Sequence, residues 1–459
     1  MSDEFKIEVN NWLPSTVGDP EVRETIADVS IKVKSYFATE VEDRPAQSVR
    51  KSIRVSAYLL ASWLASNWWR LRWEPEKKPL TQGSQSLDWD LSHEVASSGG
   101  GYVWPPVTLS SDGYHVLVRC EGQGKSADES LSPVRYLNSF GEFIDVSSFE
   151  TGISHFVEQV LSRLDARGLQ NSPLHELWSE IRTERAEKPL GSKRRLEALL
   201  GVDPDEAESL IKGLLQWQQK VGEQALEEIA AASSTFGVED VLKATADAAK
   251  SVDTYSRISE YLKIKEQLAG KGSLANRVPW QLGKDAAETI RNVWGLGKQP
   301  VKNRDIAERL QVDEAVLSEA HPDIPVSVGV RGSRSEELKL LLKPAHPHRQ
   351  RFALSRLIGD HIGINVGDTW KPATHSMTAR QKFQRAFAAE FLCPSDELYE
   401  RFSNDRLDLD DVEETSLEVA KEYEVSQKLV LNHLVNRGVI DASVWGVSEV
   451  QPASYSFGY

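Results

Sequence analysis

Apolar residues recur along much of the chain at intervals of three or four residues, which is the spacing of one helix face. In ISHFVEQVLSRL, which begins at Ile153, this spacing follows the Ser147-x-x-Glu150 pattern of an N-terminal capping box. A second typical helix start, Asp-Pro-Asp-Glu at residues 203–206, precedes another such run. The pattern predicts a helical domain over residues 146–275, which we interpret as a spacer or docking module.

Residues 1–145 show a different pattern, in which helical and strand signals alternate. The run VSAYLLASWLASNWW predicts the buried part of a helix from about Ala46 to Trp69. This run is shorter than the roughly 20 apolar residues that cross a bilayer. Farther along, VTLS and HVLVRC flank Ser-Asp-Gly at residues 111–113, as the strands of a β-hairpin flank its turn. These signals predict a mixed α/β domain.

Seven of the thirteen tryptophans lie in this first domain. Clustered tryptophans stack on flat ligands in some proteins, and more often they form a core or an interface. An enzyme or ligand sensor with its site in this domain is therefore an alternative hypothesis for the function. Its candidate pocket residues are Trp68, Trp69, Trp104, His93 and His115.

The charge balance of the chain bears on its partners. A formal net charge of −15 argues against a large phosphate-binding face. The two cysteines, Cys120 and Cys393, are too few for a disulfide framework, and the N-terminal residues lack the apolar run of a secretory signal. We predict a cytoplasmic protein that does not span a membrane.

Several motifs occur in a fixed order within residues 278–440. The segment VPWQLGKDAAETIR carries Trp280, Gly283 and Arg291, the strand-like ELKLLLKP precedes RFALSRLIGDHI at residues 351–362, and AFAAEFLCP comes last. In this order the motifs resemble those of the ImmA/IrrE family of metallopeptidases, over a little more than a third of the chain. The resemblance implies a zincin-like fold for this part of the protein.

The sequence departs from the family at the positions that carry its chemistry. Where the family has a first and a second zinc-binding His, the catalytic Glu and a Glu ligand on the next helix, this chain has, respectively, Arg356, Asp360, Leu357 and Phe383. Arginine stays protonated and cannot bind zinc, and leucine transfers no proton. The resemblance thus implies a degenerate HExxH motif and a pseudoenzyme without metal or other cofactor. We expect Arg356 and Asp360 to pair with each other beneath Phe383.

Histidines near this helix leave a relocated metal site open as an alternative. Helix geometry places His361 about 100° round the axis from Asp360, so the two do not share a face. More often such histidines lie at the surface. The four candidates are His346, His348, His361 and His375.

The segment ELKLLLKP, residues 336–344, predicts a strand at the edge of a sheet. An exposed edge strand accepts a segment of a partner as an additional strand. The candidate residues of this partner groove are Leu340, Leu342 and His361.

Residues 417–440 have the rhythm of a helix-turn-helix motif, with a break near Glu424 and a second helix that begins after Ser426. A DNA-binding regulator is therefore a further alternative. The acidic run LDLDDVEETSLE, which overlaps the first of these helices, would repel phosphate and argues against it.

The sequence therefore predicts an α+β, multidomain and predominantly helical protein. Its expected parts are the mixed α/β domain at 1–145, the helical domain at 146–275, a degenerate zincin-like domain at 276–445 and a tail at 446–459. The leading hypothesis is a regulatory or partner-binding protein built on a catalytically inactive peptidase domain. Its partner would be a protein encoded nearby, in a bacterial anti-phage defence, mobile-element or toxin–antitoxin setting that the family resemblance alone implies.

Overall fold

The computed structural model describes residues 4–76, 87–122, 133–233, 237–364, 367–402 and 409–440. Within these residues the protein is a mixed α/β structure that is 54% helical, with 19 α-helices and several small antiparallel sheets. This confirms the predicted mixture of helices and strands with helices in the majority. The chain divides into two compact units, residues 1–211 and residues 212–459. The predicted tail at 446–459 lies outside the described residues.

Unit 1 carries ten strands among its described residues: β1 Phe5–Trp12, β2 Ile26–Val33, β3 Tyr36–Phe37, β4 Val41–Asp43, β5 Ser48–Arg50, β6 Ile53–Ser56, β7 Val107–Ser111, β8 His115–Cys120, β9 Val134–Tyr136 and β10 Phe140–Asp145. Its helices are α1 Pro20–Glu24, α2 Ala57–Ser66, α3 Trp68–Trp73, α4 Leu87–His93, α5 Val146–Ala166, α6 Pro173–Ala186 and α7 Lys188–Leu200, with a 3₁₀ helix at Val95–Ser98. The division between the units falls inside α8, Glu208–Val221.

The strands of unit 1 form three small antiparallel sheets, in the orders β1-β2-β3 with β6 also paired to β2, β5-β4-β9, and β10-β8-β7. The pair β7 and β8 is the hairpin that the sequence predicts. In its turn, the Asp112 side chain accepts hydrogen bonds from the N–H groups of Tyr114 and His115, at 3.0 and 2.8 Å. Gly113 has a φ of 97°, a conformation that glycine adopts without strain.

Helix α5 packs against β1 and α2 in the core of unit 1. Its buried residues recur at helical spacing, and Gly152 lies so close to β1 that a Cβ there would be 2.8 Å from the carbonyl oxygen of Phe5. The chain on either side of residue 145 therefore shares one core, and the boundary between compact units lies at 211/212 instead of 145. The buried residues of α5 that join this core are Phe149, Ile153, Phe156, Val157, Val160 and Leu164.

Three local predictions in this region are wrong. The helix expected from Ala46 begins only at Ala57, because residues 48–56 form β5 and β6. The capping box at Ser147 is absent, since α5 begins at Val146, and Glu150 binds the Arg72 guanidinium at 2.7 Å instead. The helix start expected at 203–206 is a turn, and α8 begins two residues later.

Unit 2 contains four strands among its described residues: β11 Ser256–Arg257, β12 Ser327–Arg331, β13 Glu337–Leu341 and β14 Trp370–Ala373. Its helices after α8 are α9 Glu223–Ala232, α10 Val238–Ser251, α11 Tyr261–Ala269, α12 Pro279–Val293, α13 Asn303–Leu310, α14 Glu314–Ser318, α15 Pro347–Gly363, α16 Ala379–Leu392, α17 Ser395–Phe402, α18 Leu409–Tyr423 and α19 Gln427–Asn436. The sheet is antiparallel, in the order β11-β13-β12-β14.

Helices α12, α15 and α16 form the core of unit 2, and glycines allow them to approach closely. The Phe387 ring of α16 lies against Gly359 of α15, where a Cβ would be 2.4 Å from the ring. On the opposite side, a Cβ on Gly283 of α12 would be 2.6 Å from the carbonyl oxygen of Phe383. These contacts fix the position of α16, which carries much of the candidate site.

We expect Gly283→Ala to destabilise unit 2 by about 1–3 kcal/mol, because the added methyl group meets the main chain of α16, which cannot rotate away. Alanine is otherwise favoured over glycine in a helix by roughly 0.5–1 kcal/mol. Urea unfolding, followed by hydrogen exchange of α16 peptides, measures the change. The matched control is Gly270→Ala, since a Cβ there meets nothing within 4 Å. Equal effects of both changes would contradict the close approach.

Candidate functional site

The four positions that the resemblance assigns to zinc ligands and a catalytic base lie on α15 and α16, which pack against each other. Two of them are core residues, since Leu357 is 0% exposed and Phe383 is 2% exposed. The Phe383 ring lies against Gly363 and stacks on Phe387, with ring centroids 6.5 Å apart. These two positions contribute no polar atom.

Asp360 is buried, and both of its carboxylate oxygens accept hydrogen bonds from one guanidinium. Arg380 Nε donates to Oδ1 at 2.8 Å, and Nη2 donates to Oδ2 at 2.6 Å. The remaining nitrogen, Nη1, donates to Asp368 Oδ2 at 2.8 Å. Arg380 therefore joins two buried carboxylates, and all three side chains are at most 6% exposed. We call Asp360, Arg380 and Asp368 the ionic triad.

The expected ion pair between Arg356 and Asp360 is wrong, because Arg380 on the first turn of α16 presents a planar fork that fits both oxygens of Asp360. Burial opposes ionisation of Asp360, but the charge and hydrogen bonds of Arg380 outweigh it and hold the pKa of Asp360 below its usual value. Burial likewise opposes the charge of Arg380, yet the neighbouring carboxylates raise its pKa. Asp360 and Arg380 are therefore charged at neutral pH.

Arg356 turns toward the loop between β14 and α16. Its Nη2 donates to the carbonyl oxygen of Thr374 at 2.6 Å and to the side-chain oxygen of Gln381. The same Gln381 oxygen accepts from the N–H of Thr374 at 2.9 Å. Burial and the positive charge of Arg385 together lower the pKa of Arg356 to about 9, so the guanidinium is still protonated at neutral pH. Arg356 thus holds a loop in place.

Helix α9 contributes a third carboxylate, from far away in the sequence. Glu228 accepts a hydrogen bond of 2.7 Å from the hydroxyl of Thr378, which caps the N-terminus of α16. Burial raises the pKa of Glu228, and the charge of Arg380 opposes this rise. Just before α9, Gly222 is so close to Asp368 that a Cβ would be 2.2 Å from Oδ1. Asp368 is thereby covered by main chain.

Two further titratable residues lie near the ionic triad. Lys371 on β14 is 2% exposed, and burial lowers its pKa to about 8 against the attraction of Asp360. His361 on α15 is 3% exposed, and burial lowers its pKa to about 4, so its ring is neutral at pH 7. The polar groups around α15 are therefore enclosed.

The zinc ion of the resembled family does not fit these positions. Leu357 and Phe383 have no donor atoms, Arg356 is protonated, and both oxygens of Asp360 are bound to Arg380. Across the part of the chain that the structure describes, no group of three or more His, Cys, Asp or Glu side chains is placed to hold a metal ion. A metal-dependent step therefore has no ligand set here.

The histidines of the relocated-site alternative lie in different surroundings. The rings of His346 and His348, at the start of α15, are 5.3 Å apart and nearly perpendicular. His361 is buried against Tyr261, with ring centroids 5.5 Å apart, whereas His375 is exposed. The four do not form one cluster of ligands among the described residues.

The predicted partner groove requires a correction. Residues 337–341 do form a strand, β13, but it is not the edge of the sheet, because β11 pairs with it at Leu338 and Glu337. Leu340, Leu342 and His361 are all at most 6% exposed. These three side chains therefore belong to the interior and do not form an open surface.

In unit 1, the candidate pocket tryptophans have separate structural partners. Trp68 packs edge-on against Trp178, with ring centroids 5.5 Å apart. The Trp69 indole nitrogen donates to Glu184 at 2.7 Å, and that of Trp104 donates to the carbonyl oxygen of Gly99 at 2.7 Å. Trp68 and Trp104 join the hydrophobic core, and Trp69 packs against it.

The two candidate histidines of unit 1 are also buried. His93 is 0% exposed and stacks on Trp89, with ring centroids 4.1 Å apart. Burial lowers its pKa to about 4, so it is neutral at pH 7. His115 is 6% exposed and lies 3.7 Å from Asp112 in the hairpin. Both histidines serve the packing of their elements.

The helix-turn-helix rhythm of residues 417–440 is present as helices α18 and α19, which pack against each other. The break falls at Glu424, with a φ of 54°, and Ser426 caps α19 by accepting from the N–H of Leu429. Of the polar residues on α19, Gln427 donates to the Ser416 hydroxyl at 3.0 Å. DNA binding stays a prediction.

Sequence reasoning did not identify several residues of the cluster. One signal was available for α16, where Arg380 and Gln384 are spaced seven and three residues from Phe387 and so share its buried face. No local signal marks Glu228, because its partner lies 150 residues away. The overlooked residues are Glu228, Asp368, Lys371, Arg380, Gln381 and Gln384.

No protein-family model, no curated protein and no solved structure matches this chain. The likeness to the ImmA/IrrE family therefore depends on the motif residues themselves. Within the described ranges, every helix is too short or too polar to cross a membrane.

Proposed function

We propose that this protein is a regulatory, partner-binding protein whose residues 276–445 form a degenerate, catalytically inactive ImmA/IrrE-like domain. The observation that supports this most directly is the ionic triad. The one acidic residue at a former ligand position, Asp360, is bound through both oxygens to Arg380 and is fully buried. Because Arg380 binds both oxygens of Asp360, neither oxygen is free to bind a metal ion.

The chemistry of peptide hydrolysis supports the same proposal. A zinc peptidase needs three protein ligands, an open coordination position and a general base. Leu357 at the base position offers no proton acceptor, and Arg356 at the first ligand position is positively charged and hydrogen-bonded to Thr374 and Gln381. Water activation at this helix therefore has neither a metal nor a base.

Active members of the resembled family cut a repressor or another partner protein. A domain that keeps such a fold without the reaction would bind its partner and leave it intact. We propose a protein partner encoded nearby, in an anti-phage, mobile-element or toxin–antitoxin setting, and the family likeness is the sole support for this setting.

We expect the purified full-length protein to contain no stoichiometric zinc and to melt at the same temperature with and without chelator. Elemental analysis and thermal unfolding measure both quantities. The protein products of adjacent genes, incubated with the full-length chain, should form a complex and keep their intact mass. About one zinc per chain, or a shortened partner, would overturn the proposal.

A further inference from the structure

A cavity of about 370 Å³ lies beside β13 in unit 2, at the low end of the roughly 300–1,000 Å³ typical of ligand pockets. The short strand β11 covers β13 only at Glu337 and Leu338, and the cavity begins where β11 ends. The residues that line it are Ser251, Val252, Asp253, Thr254, Ser256, Val316, Glu319, His321 and Leu340.

The main-chain groups of Leu340 point into this cavity, as the bonds of neighbouring residues show. The carbonyl oxygen of Glu336 accepts from the N–H of Ile258 at 3.0 Å, and that of Leu338 accepts from the Ser256 hydroxyl at 2.6 Å. Both carbonyls therefore face the β11 side. Because alternate residues of a strand direct their main-chain groups to the same side, Leu340 faces this side too.

The opposite side of the sheet leads independently to the same orientation. The carbonyl oxygen of Pro372 on β14 accepts from Gln381 and Gln384 of α16, so Pro372 does not exchange hydrogen bonds with its partner Val328. The next pair, Gly329 with Lys371, must then be the bonded one. Gly329 therefore directs its main-chain groups toward β14. Its partner on β13 is Leu340, so Gly329 and Leu340 do not exchange main-chain hydrogen bonds.

The next position on the same side of the chain is already occupied, since the carbonyl oxygen of Leu342 accepts from the N–H of His321 at 2.7 Å. Leu340 therefore lies between two residues, Leu338 and Leu342, whose carbonyl oxygens already accept hydrogen bonds. Among the described residues, no group outside the sheet is hydrogen-bonded to the main chain of Leu340. Its N–H and C=O are therefore open to a partner, as in an edge strand, but only at this one residue.

The charges at the cavity select for a cation. Asp253 and Glu319 are exposed carboxylates in its lining, and His321 is the basic residue of the lining set. Because side chains alternate along a strand, the side chain of Lys339 lies on the face of β13 opposite to that of Leu340. There its ammonium group lies over the Tyr255 ring and donates to the Ala249 carbonyl oxygen at 3.3 Å. A positive group in the cavity would therefore meet negative charge.

We propose that this cavity binds a protein partner through one lysine or arginine residue. The main-chain N–H and C=O of that residue pair with Leu340, and its side chain brings the positive charge to Asp253 and Glu319. This deepens the proposed partner-binding function and rests on it. It also moves the docking position from the buried strand β13 as a whole to the one residue that β11 leaves open.

The test uses three blocked tripeptides, acetylated and amidated: Gly-Lys-Gly, Gly-Gln-Gly and Gly-Glu-Gly. We expect the lysine peptide to bind the full-length protein at least about tenfold more tightly than the glutamine peptide, because its charge adds to the main-chain bonds. Amide exchange at Leu340 should slow when the peptide is present. A lysine peptide methylated on its central amide nitrogen should lose binding, since that N–H pairs with the Leu340 carbonyl.

Protein variants separate the cavity from non-specific charge. The double variant Asp253→Asn with Glu319→Gln should lose at least about tenfold in affinity for Gly-Lys-Gly. The matched control is Asp247→Asn, an exposed carboxylate on α10 outside the cavity, which should bind as the unchanged protein does. Equal binding of the three peptides, or unchanged binding by the double variant, overturns this inference. If a natural partner still binds the double variant with full affinity, the proposed function survives and this site does not.

Discussion

Replacing Arg380 by methionine will destabilise unit 2 by about 3–5 kcal/mol, because the change leaves Asp360 and Asp368 buried without their shared counter-charge. Methionine fills much of the same volume, so the loss reports charge more than packing. Urea unfolding, with hydrogen exchange of α15 and α16 peptides to identify the unit, measures it. The effect should be among the largest of any single substitution in the chain.

The matched control is Arg401→Met. Arg401 also binds both oxygens of a carboxylate, Glu422, at 2.6 and 3.0 Å, but both side chains are at least 34% exposed. Water solvates such a pair when it is broken, so the expected cost is below about 1 kcal/mol. Equal losses of stability in the two variants would show that burial does not increase the cost of removing the arginine from the ionic triad.

The pH dependence of the Arg380 variant follows from the sign of the Asp360 shift. In the unchanged protein, the lowered pKa of Asp360 contributes stability above the unfolded value of about 3.9, and this contribution is lost as pH falls through the folded pKa. Without Arg380, burial raises the pKa of Asp360 against the weaker opposing effects of Lys371 and Gln384. The stability gap between the two proteins should therefore narrow as pH is lowered from 7 to 4.

Replacing Arg291 by methionine will lower the free energy of unfolding by about 1–3 kcal/mol. This buried guanidinium donates to the carbonyl oxygens of Gly297, Phe391 and Gln299 at 2.9, 2.5 and 2.6 Å. The Phe391 carbonyl is in the last turn of α16 and has no partner within that helix. A buried carbonyl left without a donor costs roughly 1–3 kcal/mol, which applies to that of Phe391, whereas Gly297 and Gln299 are exposed and water can replace the guanidinium there. Denaturant unfolding measures the loss.

Arg309→Met is the control for this prediction. Arg309 donates to one carbonyl oxygen, that of Trp294 at 2.7 Å, and its side chain is 37% exposed, so water can replace it. We expect a loss below about 1 kcal/mol. The loss of unfolding free energy for Arg291→Lys should lie between those of the two methionine variants, because lysine keeps the charge but lacks the planar fork that reaches three acceptors. A lysine variant as unstable as the methionine variant would contradict that reasoning.

Local patterns predicted the elements whose causes are local. The β7–β8 hairpin follows from Asp112 and Gly113, whose side-chain acceptor and positive φ build the turn by themselves. The break between α18 and α19 at residues 424–426 likewise follows from a helix end and a serine cap. Helices α12, α15 and α16 were expected because their motifs resemble those of the ImmA/IrrE family, and the structure has a helix at each of these places.

The partners within the site were not predictable in this way. Residues four apart on a helix are neighbours, so Arg356 and Asp360 looked like a pair, but Arg380 from another helix competes with better geometry. The position of β13 in its sheet depended on two residues, Ser256 and Arg257, whose sequence carries no strand signal. The pairing of Asp360 and the place of β13 in its sheet both depend on contacts between segments far apart in the chain. The local spacing of residues does not predict such contacts.

The bond between Glu228 and Thr378 has a consequence for the synthesis of the protein. The two residues are 150 positions apart, and a ribosome adding about 5–20 residues per second needs roughly 8–30 s to make the intervening chain. During that interval α9 is present without Thr378, the N-cap residue of α16, and Glu228 has to stay solvated. Unit 2 therefore cannot close co-translationally from its N-terminal end, whereas unit 1 is already complete on the ribosome when α9 emerges.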